Sequence, residues 1–179
     1  RVPRTGPAGR AVTTGAAACQ RIRFGGFWAH EGFAGIGEGL VRLRRHEREA
    51  GGAIDPLLAA WAAFRQPLRA HCRRFTPART LWHYLEGLDA AEAGRFAEAV
   101  RSLRASVRHA EQQGMRVELA RSCAAIGALE NDDGWTARAV RLWQEMGATS
   151  EAPAFRAEAP DRLERSILPA DAGDNGRLR

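Results

Sequence analysis

Two histidine-glutamate pairs, which begin at His30 and His46, come closest to a metal motif. In the HExxH motif, two histidines one helical turn apart bind zinc and the glutamate between them acts as the general base. Both pairs lack the second histidine, because Ala34 and Ala50 stand at the required positions. We therefore predict no metal site at either pair.

The glycine-rich segment GIGEG at residues 35–39 invites comparison with phosphate-binding loops. Such loops surround a phosphate with backbone N–H groups and have the pattern GxGxxG or GxxxxGK[ST] after a β-strand. The segment has neither spacing, no strand pattern precedes it, and the chain contains no lysine. We interpret it as the weak first half of a helix, since glycine has a low helix propensity.

The neighbouring residues His71 and Cys72 could supply a base and a thiol nucleophile. Adjacent residues on a helix do not face each other, so we interpret Cys72 as a buried thiol. Asp132 and Asp133 lack the spacing of a calcium loop and are predicted to form a turn and cap a helix that begins near Trp135. We expect no catalytic residue, cofactor or metal site, and any catalytic or ATPase domain would lie outside this chain.

Basic residues are concentrated in the first part of the chain. The 179 residues include 27 basic residues, all arginine, and the net charge is +6. Residues 1–79 hold fourteen arginines against five acids, whereas residues 80–150 hold eight against ten. The clearest basic cluster is Arg42, Arg45, Arg48, Arg73 and Arg74.

A basic surface can bind nucleic acid through its phosphates, so a nucleic-acid-binding module using residues 1–79 is one hypothesis. We favour a solvated helix face or contact with an acidic neighbouring domain, because acids are interspersed among these arginines and the later helices are acidic. The three cysteines are far apart and odd in number, which favours a reducing cytoplasm. No apolar run approaches the roughly 18 residues of a membrane span.

Apolar residues recur three and four apart along most of the chain, which predicts an all-α fold. Asp55 and Thr76 are expected to cap helices, and Pro67 is expected to kink or break one. The predicted helices are Trp28 to Ala50, Asp55 to Phe75, Pro77 to Gly94, Phe96 to Gln112, Met115 to Leu129 and Trp135 to Ala148. Residues 1–26 are predicted to be a flexible basic lead-in and residues 150–179 a mostly disordered tail, which leaves 27–149 as the folded domain.

Residues 80–148 contain an internal repeat at an offset of 40 residues. The matched pairs are Gly87 with Gly127, Gly94 with Gly134, Ala97 with Ala137, Ala99 with Ala139, Val100 with Val140, and Arg101 with Arg141. Small residues at these spacings predict an antiparallel helical hairpin.

Within the first copy, Gly87 and Ala99 are predicted to lie where the two helices cross closely. Gly94 is predicted to adopt the left-handed conformation that ends a helix. Phe96, Val100, Leu103 and Val107 follow at helical spacing and predict one apolar stripe. These residues are therefore interpreted as structural.

The order of Gly87, Gly94, Phe96, Ala99 and Leu103 is similar to that of the tetratricopeptide repeat, a helix-turn-helix unit that stacks into a superhelix. The match covers residues 80–148. It departs from the family pattern because the offset is 40 residues rather than about 34. Glu86 also stands at a usually apolar position, and Thr136 replaces the aromatic residue in the second copy.

The resemblance implies antiparallel hairpins stacked as a short α-solenoid that acts as a non-enzymatic scaffold. The longer repeat and the arginine-rich helices resemble the C-terminal arrays of large bacterial signalling ATPases, so we expect a cytoplasmic fragment of a regulatory protein. Its partner is expected to be a protein, a peptide or another domain of the same chain. By the family's geometry, the first helix of each hairpin would line a partner groove with Tyr84, Leu88, Glu92, Arg121, Ala124, Ala128 and Asn131. Alternatively, these positions are exposed or packed on the preceding hairpin.

Overall fold

The computed structural model describes residues 14–19 and 27–148. These residues form seven helices and no β-strand, which confirms the predicted all-α class. The helices are α1 (14–19), α2 (Phe27–Glu49), α3 (Asp55–Arg74), α4 (Ala78–Glu92), α5 (Phe96–Gln113), α6 (Arg116–Glu130) and α7 (Asp133–Glu145). The predicted tail at 150–179 and most of the predicted lead-in at 1–26 lie outside the described residues.

Helix α1 lies within the segment that was predicted to be a flexible lead-in. Ala16 and Cys19 are buried, and a Cβ atom added to Gly15 would lie 3.2 Å from the side chain of Ile36 on α2. Part of the predicted lead-in is therefore packed against the helical domain. Its contacts are made by small residues, which do not give the spacing of large apolar residues that is typical of a buried helix.

Pro67 does not end α3, which continues without interruption to Arg74. A proline removes one backbone hydrogen bond from a helix, but Phe64 and Leu68 on either side of it are fully buried. We attribute the continuity to this packing. The predicted cap at Asp55 is also wrong, because Asp55 is the first helical residue and no side chain caps α3.

The other predicted caps divide in the same way. Thr76 does not cap α4, which begins after Pro77 without a side-chain hydrogen bond. Asp132 does cap α7, since its carboxylate accepts a hydrogen bond of 2.8 Å from the N–H of Gly134. The acidic turn between α6 and α7 therefore has the structural role that the sequence predicted.

The hairpin of α4 and α5 crosses at Gly87, as predicted. A Cβ atom at Gly87 would lie 2.7 Å from Cγ of Leu103 and 3.2 Å from the carbonyl oxygen of Ala99. Gly94 has φ +77°, the left-handed conformation expected at the end of α4. Phe96 departs from the predicted apolar stripe, because it is 58% exposed at the start of α5.

The hairpin of α6 and α7 turns differently. Asn131, with φ 51°, occupies the left-handed position there, and Gly134 lies inside α7. The predicted equivalence of Gly94 and Gly134 is therefore wrong. The connecting segment is shorter, 131–132 instead of 93–95, so α7 begins earlier relative to the repeat.

Three alternate helices, α2, α4 and α6, form a contacting row, which we call the inner row. Contacts between α2 and α4 advance together along both helices, from Gly37 with Leu85 to Arg48 with Glu92, so these helices are parallel. Hairpin connections place α4 and α6 parallel as well. Buried hydroxyl groups link α6, α5 and α4. Ser122 of α6 donates to Ser106 of α5, and Ser106 donates to the carbonyl of Thr80 on α4, both at 2.9 Å.

Candidate interaction face

Tyr84 lies at the centre of the inner row and is only 2% exposed. Glu38 of α2 makes a hydrogen bond with the Tyr84 hydroxyl group, and the positive charge of Arg121 on α6 also acts on that group. The side chains of Glu38 and Arg121 approach each other, with 3.8 Å between Arg121 Nε and Glu38 Oε1. Burial, followed by the charge of Glu38, raises the pKa of Tyr84 well above its ordinary value. The phenol therefore stays protonated and interacts with the Glu38 carboxylate.

This burial corrects the prediction that Tyr84 projects into an open groove. Arg121, which was predicted to line the same groove, is close enough for its charge to act on the Tyr84 hydroxyl group. The side chains of α2 and α6 meet above α4, however, and cover the ring. Tyr84 is a core residue, in agreement with the alternative that these positions pack on the preceding hairpin.

A second contact across the inner row joins α2 and α6 directly. His30 Nε2 lies 2.9 Å from Glu118 Oε1, and the two side chains are 0% and 5% exposed. Burial acts to raise the pKa of Glu118, but hydrogen bonds from His30 and the backbone and the charges of His30 and Arg121 outweigh it, so the net shift is downward. Glu118 is therefore held as a carboxylate inside the protein.

The far end of the inner row is closed by arginines of α2. Arg45 Nε lies 3.1 Å from Glu92 Oε2, and Arg48 pairs with the same carboxylate, which is 5% exposed. Arg44 is buried, lies 2.5 Å from Asp89 Oδ1 and stacks over the ring of Trp61. Glu92, which was predicted to face a partner, instead binds α2 to α4.

Four residues of the predicted groove remain, and all are more accessible than Tyr84. Leu88, Ala124 and Ala128 are half-buried, and Asn131 is exposed in the turn that follows α6. The structure thus brings Tyr84 and Arg121 together under α2 and pairs Glu92 with arginines. It leaves Leu88, Ala124 and Ala128 partly accessible and Asn131 exposed.

The five arginines of the predicted basic cluster do not form one patch. Arg42 contacts Glu38 at 3.6 Å, and Arg45 and Arg48 share Glu92. Exposed Arg73 and Arg74 end α3 beside the start of α2, where the rings of His30 and Phe75 are 6.1 Å apart. At a rise of about 1.5 Å per residue, that end lies about 20 Å from Arg45. Antiparallel packing of α2 and α3 separates the two groups.

The predicted buried thiol is confirmed at Cys72. Its Sγ donates a hydrogen bond of 3.2 Å to the carbonyl of Ala78, and burial raises its pKa to about 12. The neighbouring His71 stacks on Phe33 with ring centroids 5.0 Å apart. A thiol with this pKa is almost entirely protonated at neutral pH and is a poor nucleophile.

Sequence reasoning missed His30, Glu38 and Glu118, which hold the inner row together. A usable signal was present, because Glu118 and Arg121, at spacing i, i+3, are the charged residues of α6 between its charged ends, Arg116 and Glu130. A charged pair at such a position predicts a buried or partly buried partner. Finding that partner 88 residues away requires the fold.

Among residues 14–19 and 27–148, no group of three or more His, Cys, Asp or Glu side chains is placed to hold a metal ion. Within the same residues, no helix has the length and apolar character needed to cross a membrane. No protein-family model matches the chain, and no curated protein and no solved structure matches it either.

Proposed function

We propose that this chain is a non-enzymatic helical repeat scaffold for protein-protein or interdomain contacts, built as a short solenoid of antiparallel hairpins. The observation that carries the proposal is the inner row of α2, α4 and α6, in which three parallel helices contact one another in chain order. Parallel first helices of successive hairpins are what a tetratricopeptide-like array would need to present one continuous face.

The accessible edge of this face is the proposed contact surface. Leu88 is half-buried there, beside Glu92, whose carboxylate is already paired. An apolar residue next to a neutralised charge is inexpensive to bury, since a partner need not strip water from an unpaired carboxylate. The buried pairs also give the row a rigid shape, and preorganisation limits the entropy that binding costs.

Site-specific photo-crosslinking in the source cells tests the proposal. A photoreactive residue at Leu88 of the full-length protein should produce adducts with another protein or with a distant domain of the same polypeptide. The matched control is the same residue at Arg101, an exposed position on α5. Absence of adducts at Leu88, or equal adducts at both positions, would overturn the proposed surface.

Nucleic-acid binding by residues 1–79 receives less support. Three of the five arginines predicted to carry it contact carboxylates, and the others lie at the opposite end of the α2–α3 pair. Titration with a short DNA or RNA at several salt concentrations separates the hypotheses, because phosphate contacts give an affinity that falls steeply with salt. Such a fall in affinity would favour the nucleic-acid hypothesis over the scaffold. Undetectable binding at low salt would exclude the nucleic-acid hypothesis.

A further inference from the structure

Two histidines stack on each other across the α4–α5 hairpin. The rings of His83 and His109 are parallel within 5°, and their centroids are 5.1 Å apart. Arg79 lies one helical turn before His83, and the charges of Arg79 and of Arg108 on α5 both act on the His83 ring. We call these four residues the His-Arg cluster.

The cluster is positively charged and has no acidic partner within it. Burial and the charges of His109, Arg108 and Arg79 all lower the pKa of His83. The nearest acids along the two helices are engaged elsewhere, because Arg65 of α3 binds Glu86 at 2.7 Å and Arg138 of α7 binds Glu111 at 2.5 Å. The electrostatic environment of the cluster therefore favours an anion.

The two arginines of the cluster differ from most others in the described residues. Most of those arginines contact a carboxylate, among them Arg42, Arg44, Arg45, Arg48, Arg65, Arg95, Arg104, Arg116, Arg121 and Arg138. Arg79 and Arg108 are exposed and make no such contact within residues 14–19 and 27–148. Their guanidinium groups keep their donors available for a ligand.

Backbone groups do not contribute to this cluster. The N–H groups of Ala78, Arg79 and Thr80 at the start of α4 donate to Phe75, Thr76 and Pro77 carbonyls at 2.9 to 3.1 Å. The start of α4 lies beside the end of α5, so the two helix dipoles oppose each other. Recognition must therefore come from the four side chains.

We propose that Arg79, His83, Arg108 and His109 form a binding site for a small tetrahedral oxyanion, phosphate or sulfate. A guanidinium group can donate two parallel hydrogen bonds to such an anion, and a protonated imidazole adds another charged donor. Two stacked imidazoles repel each other when both are protonated, and a bound dianion removes that penalty. This site is independent of the partner surface at Leu88.

Proton uptake follows from the same arrangement. Before binding, burial and the neighbouring positive charges hold the pKa of His83 down. The anion favours the protonated ring, so binding raises that pKa and takes up a proton. Affinity for sulfate, which keeps its charge across this range, should therefore rise as the pH is lowered from 8 to 6.

Nuclear magnetic resonance of the imidazole C–H groups in the intact chain tests the site. Titration with sodium sulfate, and separately with inorganic phosphate at one pH, should shift the His83 and His109 signals saturably. Sodium chloride at equal ionic strength should not. The pKa of His83 should be higher with sulfate than without it.

Two variants identify the ligand-binding residues. Arg79→Ala and Arg108→Ala should each weaken sulfate binding about fivefold or more, because each removes charge-assisted hydrogen bonds. Arg101→Ala removes an equal charge from an exposed site on α5 and should change affinity by less than about twofold, since exposed distant charges are screened. Circular dichroism checks that all three variants fold.

Three results would overturn the proposal. One is a linear, unsaturable shift of the His83 signal with sulfate. Another is an equal loss of affinity in Arg101→Ala, which would indicate a general charge effect. The third is a pKa of His83 that does not rise when sulfate is present.

Discussion

The hairpins α4–α5 and α6–α7 have matching sequences but are attached to α2 in different ways. Helix α4 packs against α2 through the buried ring of Tyr84 and through Leu85, which contacts Gly37. Arginines of α2 also pair with Asp89 and Glu92 at the far end of α4. Helix α6 is attached by acid-base contacts, through Glu118 with His30 and Arg121 with Glu38. The same repeat pattern thus supports one attachment that combines an aromatic core residue with ion pairs, and another made by acid-base contacts.

The repeat pattern therefore determines how the two helices of a hairpin pack on each other, but it does not determine how one hairpin packs on the next. Gly87 and Gly127 both allow close approach of the two helices within a hairpin. These glycines are 40 residues apart, and the same offset makes Ala124 the equivalent of Tyr84 in the second copy of the repeat. The residues that face α2 therefore differ between the two hairpins, even though the glycines at the helix crossings are the same.

Tyr84→Ala should produce the largest effect, because it removes a buried aromatic ring from the contact between α2 and α4. We expect the free energy of unfolding to fall by about 4 kcal/mol, in the range for large-to-small core substitutions. Urea denaturation followed by circular dichroism measures this change. An unchanged stability would mean that the ring is exposed, as the family's geometry implied.

The matched control is Tyr84→Phe, which keeps the ring and removes only the hydroxyl group that faces Glu38. The expected loss is about 1 kcal/mol, the typical net value of one hydrogen bond. If the two variants lost equal stability, the hydroxyl contact rather than the ring would account for the attachment.

Gly127→Ala and Gly87→Ala compare the two crossings. At Gly127 the added Cβ would lie 2.9 Å from the backbone nitrogen of Thr136 and 3.2 Å from the Asp132 carbonyl oxygen, whereas at Gly87 the nearest atoms belong to the Leu103 side chain. A side chain can rotate away more easily than a backbone. We expect losses of about 3 kcal/mol at Gly127 and about 1 kcal/mol at Gly87. Equal losses in urea denaturation would show that the two crossings are equivalent.

Glu118→Gln tests the ionic attachment of α6. The variant should lower the free energy of unfolding at pH 7 by about 2 kcal/mol, because it weakens a buried charged contact with His30. Burial tends to raise the pKa of Glu118, but the contacts with His30 and the backbone reverse the shift, so its folded pKa lies below its unfolded value.

A lowered carboxyl pKa contributes stability above the unfolded pKa of about 4.3, and this contribution is lost as the pH falls through the folded pKa. The difference in stability between the native chain and Glu118→Gln should therefore shrink below about pH 4. Glu145→Gln, at an exposed pair with Arg116, is the control and should change stability little at any pH. A difference that is constant from pH 7 to pH 3 would contradict the ionic role.

Local features of the fold were predictable from the sequence because they depend on nearby residues. The helix positions follow from apolar spacing, and the crossing at Gly87 follows from a small residue facing Ala99 and Leu103. The buried thiol of Cys72 followed from its place in a helix. Each of these depends on one helix or on one hairpin.

The candidate interaction face was only partly predictable, because its closure depends on contacts between distant parts of the chain. Helical geometry placed Tyr84 and Arg121 on one face, but it could not show that Glu38 covers them. The His83–His109 stack was missed for a similar reason, since it requires the register between α4 and α5. The match between Gly94 and Gly134 also gave a wrong prediction, because Asn131 and not Gly134 has the left-handed conformation in the second turn.

Gly94→Ala and Gly134→Ala test this difference between the two turns and should give the smallest effects. Gly94 has φ +77°, where a Cβ is strained even though there is open space around it. We expect a loss of about 1 kcal/mol in the free energy of unfolding. Gly134 lies inside α7, where alanine has the higher helix propensity, so its replacement should stay within about 0.5 kcal/mol of the native chain. If urea denaturation showed a larger loss for Gly134→Ala than for Gly94→Ala, Gly134 would be the turn residue that the 40-residue repeat implies.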